Sequence, residues 1–234
     1  MDIISAEGFV LSSIEYKEKS KIVYLFTRNG KISFRALGSN NMKKGLLPLI
    51  TSMNKLNVII SNSNFPKAID YTLINSFEYI KNDLKKSLWF SFILEILSKI
   101  DENLYNERIY NLVDKLFDLG KEYDGLFLTT IFMIKMTYSF GIAPILKKCV
   151  LCGNLNTNGF SIKDGGAICV NHNIKNVYDK KILEMIYNIY YFDIYNDDLN
   201  NIKDYDYLEL FNLINLYYKT HLDIYLKGLN SLIF

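Results

Sequence analysis

Cysteine is scarce in this chain of 234 residues, and all three cysteines fall between positions 149 and 169. Disulfide scaffolds spread even numbers of cysteines through short secreted chains, so this usage argues against that class and for a cytosolic setting with reduced thiols. Long apolar runs are missing as well. The longest, Leu126 to Ile134, is interrupted by Lys135, well short of the ~20 residues that a membrane-spanning helix needs. The opening Met1-Asp2-Ile3-Ile4-Ser5-Ala6-Glu7 has neither the positive region nor the apolar stretch of a signal peptide. There is no strong charge of one sign, the net being +2, and no internal repeat. There are two histidines and a single tryptophan.

What the chain does have is core-forming material. Half of it is hydrophobic and 15% is aromatic, which excludes a disordered chain and allows one large domain or two small ones. The 18 tyrosines and 15 phenylalanines, with plentiful Asn, Lys and Ile, read first as the codon bias of an AT-rich genome. Charge is uneven. Residues 1–80 hold ten Lys and Arg against six Asp and Glu, a net of +4, which leaves −2 for the rest. A polyanionic partner is therefore expected at the N-terminal third.

That third has the pattern of short strands. Gly8 to Ser12 is apolar, and Ile22 to Phe26 is a continuous apolar run. The Asn29-Gly30 pair that follows is a hairpin signal, because both residues tolerate positive φ. On the return strand, Ile32, Phe34 and Ala36 share one face, with Ser33 and Arg35 on the other. Gly38 to Gly45 reads as a polar, basic loop. Leu56, Val58 and Ile60 alternate, as do Ile69, Tyr71 and Leu73 beyond Pro66. Four or five short strands in this space predict a small closed barrel. From residue 83 the period becomes helical, with Leu88, Phe92, Ile96 and Ile100 spaced by four. Further helices are expected around 105–116, 126–140, 181–190 and 207–226, with Gly141 and Pro144 ending the third. Asp193 to Asp206 reads as a solvated loop. The fold class is α+β.

Two features carry chemistry. The first is Cys149-Val150-Leu151-Cys152, sixteen residues, then Cys169-Val170-Asn171-His172. Two short pairs at this separation can converge as four ligands in a tetrahedron, and thiolates with imidazole suit zinc. Two short strands around Lys163-Asp164-Gly165 would make a zinc ribbon. Four protein ligands leave no open position, so the site reads as structural, and His172 is the fourth ligand or else a surface residue. The second is basic. Lys17, Lys19 and Lys21 alternate, Arg28, Lys31 and Arg35 flank the hairpin, and Lys43 and Lys44 fall in the loop. This set reads either as a groove for a phosphate backbone, with Tyr16, Tyr24 or Phe34 as stacking rings, or as an ordinary solvated lysine face over core aromatics. Phe34, on the apolar face, is the more core-like of the three. No nucleophile, base and orienting partner are grouped in sequence.

Several segments, in order, resemble the recombination mediator family RecO: Glu7 to Leu11, Ile22 to Lys31, Ala36-Leu37-Gly38, Leu46-Leu47-Pro48, Tyr138 to Pro144, Cys149 to Gly153 and Leu226 to Leu232. The resemblance implies an N-terminal OB-fold β-barrel (residues 1–80) and an all-helical C-terminal domain (81–234) with an inserted zinc finger at about 147–175. It implies a non-enzymatic role in the bacterial cytoplasm, at the nucleoid: binding single- and double-stranded DNA and annealing strands. With RecR, and in some cases RecF, such a protein helps load RecA onto DNA coated by single-stranded DNA-binding protein, whose C-terminal tail it contacts. Arg28, Lys31, Arg35, Lys43 and Lys44 become the DNA-binding candidates. Cys149, Cys152, Cys169 and His172 become the structural zinc ligands. The chain departs from that family in a sparser basic run, Ser39 to Lys44, and in a histidine where many members have a fourth cysteine.

Overall fold

Five antiparallel strands open the structure, a computed structural model that describes residues 3–38, 45–101, 104–172, 177–224 and 226. They are β1 (Ile3–Tyr16), β2 (Ser20–Thr27), β3 (Gly30–Leu37), β4 (Lys55–Ser61) and β5 (Ala68–Asn75), with a single turn of helix, α1 (Leu47–Ile50), between β3 and β4. The order across the sheet is β3-β2-β1-β4-β5. A parallel bridge between Arg35 and Lys67, with the Arg35 amide donating to the Pro66 carbonyl at 2.9 Å, joins the two outer strands and closes the sheet. Closure removes the exposed strand edges that invite aggregation. β1 serves two partners, β4 through residues 3–9 and β2 through residues 8–16, and its register shifts between Val10 and Ser12 where it bends.

The barrel interior is mostly aliphatic. Val10, Val23, Leu25, Phe34, Ala36, Leu56, Val58 and Ile60 meet there, with Leu49 of α1 as a plug. The alternation expected for β3 holds: Phe34 and Ala36 are buried and Ser33 is exposed. The β2–β3 hairpin forms where Asn29-Gly30 foretold it, with a different turn. Thr27 pairs with Gly30, so the two loop residues are Arg28 and Asn29, and of these three only Gly30 takes positive φ, at 117°. The Thr27 hydroxyl donates to the Gly30 carbonyl at 2.8 Å and accepts from the Asn29 amide at 3.2 Å, which holds this tighter geometry.

Phe9 and Phe26 are cross-strand partners, and both are fully buried on the outside of the barrel. Around Phe26 the strand is therefore covered on both faces, which accounts for that end of the apolar run in β2, whereas Ile22 and Tyr24 on its outer side are only partly buried. The cover comes from α2 (Glu78–Lys81), α3 (Leu84–Lys99) and α4 (Glu107–Leu119). Phe9 lies against Phe77, Tyr110 and Phe117, and Phe26 lies against Tyr105 and Tyr110. Ring centroids 5.0–5.9 Å apart fall in the favourable range for tilted and offset aromatic pairs. The chain divides into compact units at Glu122/Tyr123, with α2, α3 and α4 belonging to the barrel's unit.

The second unit, Tyr123–Phe234, is built on α5 (Gly125–Ser139), a helix apolar all round. Packed with it are α6 (Lys180–Tyr191) and α7 (Tyr207–Leu222). Tyr218 donates to the Met133 carbonyl at 2.7 Å and Tyr217 to the Ile142 carbonyl at 2.9 Å, so buried phenols satisfy backbone at and beyond α5. Asp or Asn caps five helices by accepting backbone N–H bonds: Asp83, Asn106, Asp124, Asp179 and Asp206. The segment 193–206 is more than a solvated loop. Ile194, Leu199 and Ile202 are buried, which anchors its polar turns from beneath. No helix among the described residues is long and apolar enough to cross a membrane.

Candidate metal centre and nucleic-acid face

Between α5 and α6 lies a two-stranded hairpin, β6 (Thr157–Ser161) and β7 (Gly166–Cys169). Its backbone is enclosed. Gly166 bridges Ile145 on one side and Phe160 bridges Tyr178 on the other. A Cβ at Gly166 would sit 2.3 Å from the Ile145 carbonyl oxygen, so only glycine permits that approach. The first cysteine pair forms a tight knuckle: the Gly153 amide donates to the Cys149 carbonyl and the Cys149 amide to the Asn154 carbonyl, both at 2.8 Å. The second pair sits where β7 ends at Cys169 and a turn of 3-10 helix, Val170–His172, swings His172 back.

The two turns bring all four ligand atoms within 4.8 Å of one another. Cys152 Sγ is 3.7 Å from Cys169 Sγ; Cys149 Sγ is 3.7 Å and Cys169 Sγ 3.3 Å from His172 Nδ1. These are not disulfide distances, since an S–S bond is about 2.05 Å. Metal–sulfur bonds of about 2.3 Å and a metal–nitrogen bond of about 2.0 Å at tetrahedral angles place sulfurs about 3.8 Å from each other and about 3.5 Å from the nitrogen. The observed separations fit that figure, and the donor set is one that suits zinc. Cys149 and Cys169 are buried with Ile168, while Cys152 is exposed. Burial pushes the Cys149 thiol up, but hydrogen bonds from the Cys169, Cys152 and Leu151 backbone and from His172 outweigh it and bring the thiol down to about 6. The Cys152 thiol is raised, with burial and the neighbouring Cys149 and Cys169 sulfurs outweighing a backbone hydrogen bond at Asn154. The Cys3His group could hold a metal such as zinc.

The basic candidates do not form one cluster. Arg28 donates through Nη1 to Glu107 at 2.9 Å and Asn111 at 2.8 Å, with its guanidinium 4.7 Å from the Tyr110 ring. It ties the hairpin to α4. Lys31 donates to the Ser98 carbonyl at 2.8 Å and the Ile100 carbonyl at 3.3 Å, filling acceptors at the end of α3. Lys43 and Lys44 lie outside the described residues. Arg35 is different. It projects from the outer face of β3, with Nη2 3.4 Å from the Phe65 carbonyl and its guanidinium 5.8 Å from the Phe65 ring. Its Nε is buried with no partner among the described residues, which is costly for a donor, about 1–3 kcal/mol.

Of the three proposed stacking rings, Phe34 is in the barrel core, while Tyr16 and Tyr24 line a groove on the outside of β2–β3 together with Arg35 and Phe65. Phe65 was not picked out in the sequence. A lone Phe before a proline carries no periodic signal, although the Asn-Phe-Pro context marks it as a loop residue.

The strand order and closure define a five-stranded barrel of the oligonucleotide-binding type, here in a chain that also carries a Cys3His group able to hold a metal. Residues 1–77 match the family model described as Recombination protein O N terminal, and residues 81–230 match Recombination protein O C terminal. The DNA repair protein RecO of Halalkalibacterium halodurans is 28% identical over 233 residues, covering 95% of this chain and 91% of that protein. Those of Bacillus cytotoxicus and Bacillus mycoides are 28% and 26% identical, each over 93% of its own length. The chain belongs to the RecO family of DNA repair proteins.

Proposed function

We propose that this protein acts without covalent chemistry as a recombination mediator. In this reading residues 1–80 bind single- and double-stranded DNA through phosphate contacts and bring complementary strands together. Residues 81–234, with the finger at about 147–175, meet the C-terminal tail of single-stranded DNA-binding protein, and RecR is a further protein partner. The outcome is RecA loaded onto DNA, in the cytoplasm at the nucleoid. Cys149, Cys152, Cys169 and His172 hold one zinc ion as a structural staple. When bound, the metal supplies folding free energy and no reactive position.

The observation that carries the reading is a closed barrel of oligonucleotide-binding topology in a chain matched along nearly its whole length to a DNA repair family. Such barrels bind strands on the β2–β3 face and adjoining loops. The test is fluorescence anisotropy with labelled oligonucleotides at several salt concentrations, beside a strand-annealing assay. Binding that weakens with salt, by a slope of about −0.7 per phosphate contact on single strands, supports the reading. No binding to either form of DNA at low salt overturns it.

One observation favours a second reading, a protein-interaction scaffold with a structural zinc site and no direct DNA role. Arg28 and Lys31 are committed to Glu107, Asn111 and the end of α3, which leaves fewer cations for phosphate. Retained binding of an acidic peptide, with no DNA binding, would select it.

A further inference from the structure

The four side chains of the Cys3His group do not share one environment. Cys149 and Cys169 are each only 1% exposed, and His172 is half-buried. Cys152 is the exposed member. Its neighbours in the knuckle leave it open: Leu151 is 52% exposed, and Gly153 and Asn154 are exposed too. At Gly153, where φ is +76°, nothing lies within 4 Å of the place a Cβ would take, so this side of the knuckle faces solvent. Behind the exposed sulfur stands a second one, Cys169 Sγ, at 3.7 Å. The Cys149 sulfur is engaged otherwise, by hydrogen bonds from the Cys169, Cys152 and Leu151 backbone and from His172.

An accessible sulfur poised next to a second, resolving one is the arrangement of a redox-sensing cysteine. A thiol that ligates a metal is held as the thiolate, the form that attacks a peroxide. A peroxide arriving from solvent meets Cys152 before either buried sulfur. We propose that Cys152 is an oxidation site, at which a peroxide starts formation of a Cys152–Cys169 disulfide and release of the metal. In the first step the Cys152 sulfur attacks hydrogen peroxide: an S–O bond forms, the O–O bond breaks, and hydroxide leaves to take a proton from solvent. In the second the Cys169 thiolate attacks the sulfenic sulfur: an S–S bond forms, the S–O bond breaks, and a second hydroxide leaves and is protonated. Two thiolates have lost two electrons, and the peroxide has become two waters. Two of the four ligands are then gone, and a structural site needs all four. The bridges Ile145–Gly166 and Phe160–Tyr178 do not depend on the sulfurs and still enclose the hairpin backbone, so a thiol reductant with fresh zinc restores the site. The inference rests on the zinc assignment proposed above and deepens it by making the staple removable.

The experiment uses the full chain loaded with zinc, its metal content measured first. Hydrogen peroxide is added, and zinc release is followed with a chromophoric chelator, beside free-thiol titration and peptide mass spectrometry of the disulfide linkage. The expected result is loss of two thiols for each zinc released and a Cys152–Cys169 linkage. The melting temperature should fall and recover with a thiol reductant and zinc. Cys152→His keeps a metal-binding side chain and removes the exposed sulfur. It is expected to hold zinc and to release it to peroxide at least roughly tenfold more slowly. Zinc that stays bound in wild type under peroxide would overturn the proposal. So would release with all thiols intact, a linkage of Cys149 to either other cysteine, or Cys152→His that releases zinc as fast as wild type. If Cys152→His holds no zinc, the linkage found in wild type decides alone. Zinc that is bound but indifferent to peroxide leaves the staple standing, whereas wild type that binds no zinc removes both.

Discussion

The barrel and the cysteine hairpin solve the same problem, holding short strands in place, with different means. The barrel has a mostly aliphatic interior, and an aromatic layer covers its outside around Phe9 and Phe26, so β1 and β2 are covered on both faces there by side chains from many positions. Its stability is the sum of many contacts, and each replacement removes a share. The hairpin is two strands of five and four residues with a small cluster of Cys149, Ile168 and Cys169. A two-stranded hairpin is marginal in water. Besides its buried Phe160, Ala167 and Ile168, this one has four potential ligand atoms within 4.8 Å, and in the proposed reading a metal held there is lost as a whole.

The sharpest way to break the contrast is to remove the metal. Metal binding supplies on the order of 10 kcal/mol to a small zinc module at neutral pH. Cys149→Ser or Cys169→Ser is expected to abolish zinc binding and lower the melting temperature, checked by metal analysis and calorimetry on one sample. Variants that stay fully folded and lose only DNA binding would refute the staple. In the barrel unit, Phe117 is fully buried against Phe9, Phe77 and Phe90. Phe117→Ala should cost about 3–5 kcal/mol in denaturant unfolding without changing zinc content.

Alkaline pH probes both units. Burial pushes Tyr79, beside Asp118, and Tyr217 to about 12. Burial raises Tyr110, Tyr207 and Tyr218 as well, with a Glu7 hydrogen bond adding to the effect at Tyr110. A phenol whose folded value lies above its unfolded value of about 10 stabilises the fold fully below pH 10. That contribution is lost as pH rises from about 10 towards 12, because the unfolded chain sheds its proton first. The share of tyrosinate absorbance that comes from these buried phenols should therefore rise together with unfolding in that window. Absorbance that rises first, in the folded protein, would show those phenols to be accessible.

The smallest effect sharpens the division among the arginines. Arg28→Met removes hydrogen bonds to Glu107 and Asn111 and the contact with Tyr110. The expected loss is about 1 kcal/mol of stability, from exposed groups, with the salt slope of DNA binding unaltered. A changed slope with unchanged stability would return Arg28 to the DNA face.

Much of this was legible along the chain because it depends on neighbours in sequence. The alternation in β3, the helix between Asp124 and Gly141, and the turn at Lys163-Asp164-Gly165 follow from local periodicity and turn chemistry. The length of β1 was not legible, because its ends owe their strand form to pairing with β4 and β2 rather than to apolar residues of their own. Nor was the burial of Ile194, Leu199 and Ile202, hidden among Asn and Asp.

The sequence by itself determined the clustering of the Cys3His group and the class of fold. Ligands three residues apart on a knuckle need little beyond their own turns to face one another, and a strand period that gives way to a helical one defines α+β. Tertiary structure alone decided which cations are free. Arg28, Lys31 and Arg35 look alike in one hairpin, yet residues far along the chain engage the first two and leave Arg35 beside Phe65. Charge is a property of the residue, whereas availability to a ligand depends on what packs beside it.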